Sequence, residues 1–143
     1  MKKIVSLTAL LLVIALLFAG CKETFDTTKS VNKLLNKGLV ISQEYSTTYQ
    51  LKEASAMFNA EIRFYGGNFT VEVKRGVALE DPKEPGSNCQ FIELATEDQA
   101  IKYAEHYIKV RKNDNEYKVA QSGTVVVITN LEIAAEVIPL EFK

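Results

Sequence analysis

An apolar run at the N-terminus limits this chain more than any other feature. Residues 4–18 read IVSLTALLLVIALLF, after Lys2 and Lys3 and before Ala19-Gly20-Cys21. A short positive stretch, an apolar stretch of this length and small residues behind it are the three parts of a secretory signal. The part left to fold is then residues 21–143. That length supports one domain with an adequate core and is too short for a two-lobed solute-binding protein.

The segment Leu17-Phe18-Ala19-Gly20-Cys21 resembles the lipobox of bacterial lipoproteins. The resemblance covers residues 1–21 only, and Phe18 stands where the family prefers Leu. It implies that the Cys21 thiol receives a diacylglyceryl group, with acyl chains such as palmitate. Cleavage then falls between Gly20 and Cys21, removing residues 1–20 as a signal peptide. Each buried CH₂ contributes about 0.8 kcal/mol, so one chain holds only marginally while two or three hold essentially permanently. The competing reading is an uncleaved membrane-spanning anchor. Residues 4–20 sit at the lower edge of the roughly 17–25 residues that a spanning helix needs. The resemblance places the protein on the extracytoplasmic side of the cell membrane. Lys22 resembles the outer-membrane sorting class where the host has two membranes.

The full chain carries a net charge of −1, and loss of Lys2 and Lys3 leaves the remainder more acidic. Mild acidity with mixed charges argues against a nucleic-acid partner. No second long apolar run exists. Of the two cysteines, lipidation of Cys21 leaves Cys89 alone, so no intramolecular disulfide forms. Cys89 opens a strand-like stretch, Cys89–Leu94, and is expected to be a buried small hydrophobe.

Residues 21–30 read as the lipidated cysteine and a polar tether, and residues 31–143 as a single α+β domain. The nine residues Lys22–Ser30 reach at most about 30 Å. A short helix follows, with Val31, Leu34 and Leu35 on one face and Gly38 as its cap. Leu39-Val40-Ile41 fits a strand or a helix continuation. Leu51, Ala54 and Phe58 predict a helix over 48–59. Next, Ala60, Ile62 and Phe64 alternate with Glu61, Arg63 and Tyr65, Gly66-Gly67-Asn68 follows, and Phe69, Val71 and Val73 alternate with Thr70, Glu72 and Lys74. That pattern predicts a hairpin over 60–74. Residues 80–88 (EDPKEPGSN) read as a surface loop.

Thr96-Glu97-Asp98-Gln99 fits a capping box at the head of a helix whose apolar face is Ala100, Ile101, Ala104, Tyr107 and Ile108. A second hairpin runs from Tyr117 through Ser122-Gly123 to Thr129. Its run Val125–Ile128 predicts a central strand, covered on both faces or beside a partner. Thr129-Asn130-Leu131-Glu132 fits another capping box, opening a last helix through Ile138. The order is that of an α+β fold. It predicts an antiparallel sheet of four to five strands with helices packed mainly on one face, a ferredoxin-like arrangement being one form of that class.

Catalytic and metal-binding chemistry is sparsely supplied. His106, the single histidine, falls beside Lys102 and Lys109 on the wet face of its helix. Cys89 and His106 lack any local sequence that makes them a nucleophile pair. Glu80, Asp81 and Glu84 share a loop without the pattern of a calcium site. Gly66-Gly67 does not precede a helix N-terminus and is no phosphate cradle. No catalytic residue, metal site or cofactor is expected.

Tyr65 and Asn68, at the tip of the expected hairpin, are the candidate binding surface, with Tyr45 and Tyr49 as further aromatic candidates. These features predict a lipid-anchored, non-enzymatic envelope protein that binds another envelope protein or a small ligand. The alternative is an immunity or exclusion lipoprotein that blocks a toxin, phage or hydrolase at the membrane. Replacing Cys21 with Ser is expected to release the protein from the membrane fraction of fractionated cells. Retention there would point to a membrane-spanning anchor.

Overall fold

Four successive β-branched residues, Val125–Ile128, pleat readily and bury both faces of the strand they form. That strand anchors the computed structural model of the protein, which describes residues 24–113 and 116–143. Its elements run α1 (Thr27–Asn36), β1 (Val40–Tyr45), α2 (Thr48–Phe64), β2 (Val73–Glu80), β3 (Asn88–Leu94), α3 (Glu97–Val110), β4 (Lys118–Ser122), β5 (Val125–Thr129) and α4 (Glu132–Val137).

The fold is α+β, with one five-stranded sheet in the order β1-β2-β3-β5-β4 and every neighbouring pair antiparallel. β5 lies between β3 and β4 and is buried along its whole length. β3, α3 and β4 thus form a split β-α-β unit with β5 inserted, as in half of a ferredoxin-like arrangement. The other helix-linked pair, β1 and β2, are immediate antiparallel neighbours instead.

Each sheet face has its own core. On one, Ala54, Phe58 and Ile62 of α2 and Ala100, Tyr103 and Ala104 of α3 pack on Ile92, Leu94, Val126 and Ile128. On the other, Leu34 of α1 and Ala134 of α4 pack on Leu79, Cys89, Phe91 and Val127. The two long helices share a face, and the two short ones cover the reverse, so helices pack on both faces and not mainly on one. Full burial of a side chain such as Phe91 or Ile128 contributes roughly 1.5–3 kcal/mol.

Three local readings are corrected. First, the described part of the expected tether, residues 24–30, is largely folded. The Asp26 carboxylate accepts from the Lys29 amide at 2.9 Å and caps α1, Ser30 is buried, and Phe25 stacks on Phe91 with ring centroids 6.3 Å apart.

Second, no hairpin spans 60–74. Residues 60–64 are the last turns of α2. The helical spacing Leu51, Ala54, Phe58 continues to Ile62, so one long amphipathic face outweighs a five-residue alternation. Gly66, at φ +80°, closes the helix in a Schellman motif. Its amide donates to Arg63 O at 3.0 Å, and the Gly67 amide donates to Ile62 O at 2.8 Å. The backbone amides of 71–73 donate to helix side chains, and pairing with a strand begins only at Val73, opposite Leu94 of β3. Asn59 holds both the N–H (2.7 Å) and the carbonyl (2.9 Å) of Val71, and Ser55 Oγ accepts from the Val73 amide.

Third, neither expected capping box closes in full. Thr96 caps α3, accepting from the Gln99 amide at 3.2 Å, but the Gln99 carbonyl oxygen accepts from the Glu72 amide, not from its own helix start. Thr129 Oγ1 donates to Asn88 O and accepts from the Leu131 amide, and α4 begins without a side-chain cap. Among the described residues, the capping box that closes in full is that of Thr47 and Gln50, at the head of α2.

The helical course of 60–64 separates two neighbouring apolar residues that a hairpin would have buried together. Ile62→Ala is expected to destabilise by about 2–5 kcal/mol. Phe64→Ala is expected to change stability by no more than about 0.5 kcal/mol, as at exposed sites. Urea unfolding of both variants measures the contrast, and equal losses would contradict the helix.

Candidate functional site

The last turn of α2 carries aromatic rings into solvent. Phe64 is 82% exposed and Tyr65 47% exposed, and their rings meet edge to face with centroids 5.0 Å apart. Helical spacing sets the cause. Once Ala54, Phe58 and Ile62 face the sheet, Tyr49, Met57, Ala60 and Phe64 fall on the opposite side of the helix. All four are exposed. Tyr65, the C-cap residue, sits at the rim between this outer stripe and α3.

Beneath Tyr65 lies a cavity of about 10 Å³, lined by Ile62, Tyr65, Tyr103, His106 and Tyr107 among others. Its size is that of a single water molecule. His106 is half-buried here, not on a wet face as its helix position suggested. Its Nε2 is buried and has no hydrogen-bond partner, and its ring meets Phe69 edge on at 5.5 Å. The loop after Gly66 folds over it. A Cβ on Gly67 would stand 2.5 Å from Ile62 Cγ2 and 3.1 Å from His106 Cε1, so only glycine lets the chain pass so close. Asn68 follows on the exposed outside of the same loop. Tyr65 and Asn68 are therefore brought to one end of α2, by a helix stop rather than a hairpin tip.

Other candidates are dispersed. Tyr49 is exposed and donates its hydroxyl to Glu53, whereas Tyr45 is partly buried against the first core. Cys89 lies in the core on the reverse face of the sheet, so the structure does not bring it to His106. Burial pushes its thiol up from the ordinary value of 9.0 to about 12, against a smaller lowering by its hydrogen bond with Thr129. The thiolate that nucleophilic attack requires is thus suppressed. The 80–88 loop is closed on itself by bonds such as Asp81 Oδ1 with the Lys83 amide (2.8 Å). Among the described residues, no three His, Cys, Asp or Glu side chains converge on a metal-sized site. Cys21 and Gly20 lie outside the described residues.

The sequence reading overlooked two features. The outward aromatic Phe64 was assigned to a buried strand face, although its spacing from Tyr49 and Met57 carried the helical signal. The Arg111 guanidinium stands over the rings of Tyr107 (5.5 Å) and Tyr117 (5.7 Å). That pair of cation–π contacts, on two rings set edge to face, ties the end of α3 to the start of β4, and nothing in the local sequence signals it.

No protein-family model, no curated protein and no solved structure matches this chain.

The Cys89 environment sets a pH response. Below pH 9 the thiol is neutral in both folded and unfolded chains. Above it the unfolded thiol ionises while the folded one, raised to about 12, does not. Ionisation therefore favours unfolding, and stability from this group is expected to fall as pH rises from 9 towards 12. Cys89→Ala is expected to flatten that part of the profile, as read by denaturant midpoints at each pH.

Proposed function

We propose that the protein is a lipid-anchored, non-enzymatic envelope protein that works by binding. The lipobox-like segment ending at Cys21 supports the anchor. One observation carries the binding role: the exposed aromatic end of α2, where Phe64, Tyr65 and Asn68 stand together on a helix terminus fixed by the Gly66-Gly67 stop. Large aromatic side chains with little rotamer freedom to lose are the common anchors of protein interfaces. Tyr65 adds a hydroxyl for directional contact. The rigid helix behind them keeps the ordering cost of association low. A folded envelope protein is the partner class that such a raised, mixed apolar and polar patch suits. Among the described residues no helix is long and apolar enough to cross a membrane.

The test is crosslinking in intact cells, comparing the unmodified chain with Phe64→Ser and Tyr65→Ala. Recovery of one dominant envelope protein with the unmodified chain, reduced about tenfold or more by either substitution, is the expected outcome. A change of this size matches the loss of about 1.4 kcal/mol or more expected at an interface anchor. A toxin or hydrolase recovered in its place would make the activity inhibitory. Unchanged recovery with both variants would remove the patch from the interaction.

A further inference from the structure

We propose that β1 is a self-pairing edge, through which two copies of this chain join antiparallel about a two-fold axis. The outer strands of the sheet are not alike. β4 is bordered by the chain's own Lys143, whose amide and carbonyl both bond to Val119 at 2.9 Å. β1 has β2 on one side and no strand on the other among the described residues. Its sequence, VISQEY, has no Lys, Arg or Pro, and a single charge, Glu44, with the bulge at Ser42 is all that blunts this edge. Val40 and Ile41 are 43% and 46% exposed. Being consecutive in a strand, they point to opposite faces of the sheet, so the apolar exposure belongs to the edge and not to one face. A bulge at Ser42 bends the strand locally, while Gln43–Tyr45 keep regular register with β2.

Free backbone donors and acceptors along an edge are matched by another extended strand. The residue order favours a second copy as that strand. An axis through Gln43, with Ser42 left unpaired in the bulge of each strand, pairs the other five residues of β1. Val40 then lies opposite Tyr45 of the other copy, Ile41 opposite Glu44, and Gln43 opposite Gln43. A β-branched residue against an aromatic is a favourable cross-strand pair, and no like charges are opposed. The apolar start of one strand meets the aromatic end of the other, beside Tyr49, which is 69% exposed at the head of α2. The interface is isologous, the form that two-fold dimers take.

The register supplies the test. Opposed residues in an antiparallel pair lie about 4.5–5.5 Å apart at Cα, within disulfide range. Positions 41 and 44 within one strand are about 10 Å apart, beyond that range. The full chain carrying Ile41→Cys and Glu44→Cys together is oxidised mildly and run on a non-reducing gel. Both positions are exposed, so the core is untouched. The double variant is expected to form a covalent dimer, while each single variant and the unmodified chain do not. The unmodified chain controls for Cys21 and Cys89. A monomeric double variant whose two new thiols still alkylate would overturn the proposal. So would equal dimerisation of the single variants, which signals random encounter. Covalent capture of a different protein would also overturn it, by giving the edge to another partner.

Discussion

The structure depends on two central strands that are covered on both sides. β3 and β5 pair antiparallel from Cys89↔Thr129 to Glu93↔Val125, and most of their side chains have no access to water. A strand buried on both faces needs two separate covering layers. Ile92, Val126 and Ile128 require α2 and α3, while Phe91 and Val127 require α1 and α4. The helices therefore divide between the faces according to what the central strands present. The two cores lie on opposite faces of the sheet, with the strands between them.

This demand explains the early start of the folded domain. The core on the reverse face is built from short helices and would be thin without further cover. Phe25 provides some by stacking on Phe91, and Ser30 and Leu34 are drawn inside with it. If Cys21 is the anchor, four residue steps separate it from Phe25, a reach of about 13–14 Å. The domain is then held close against the membrane rather than on a long leash. The aromatic end of α2 belongs to the helical layer on the face of the sheet away from α1.

Strands β3, β4 and β5 and the capped helix α3 were legible in the sequence because periodicity and capping agreed there, whereas β2 was not read as a strand and the start of β1 was left between strand and helix. Val125–Ile128 indicated a buried central strand, and Thr96 indicated a helix start. Residues 60–74 were misread because alternation over five residues imitates half a helical face. Ile62 satisfies both patterns, and only the preceding Leu51, Ala54 and Phe58 decide between them. Asn59 and Ser55 reach across 12 and 18 residues to hold the backbone of Val71 and Val73, and such long-range satisfaction leaves no mark in the local sequence. The candidate surface was legible in part. Tyr65 and Asn68 are exposed as expected, but Phe64 was missed through the same misreading. His106 was placed on a wet face because a helical wheel does not show a loop folding over it.

The contact between Val119 and Lys143 bears on how far any association can proceed. A sheet open at both edges can add strands without limit, which is the geometry of a fibre. Here the outer side of β4 is already bonded at Val119 by Lys143, so strand addition is hindered there and is freer at β1. Joining at β1 consumes the freer edge of both partners at once. The result is a finite object with blunted ends, and the same backbone chemistry that invites pairing also makes it stop.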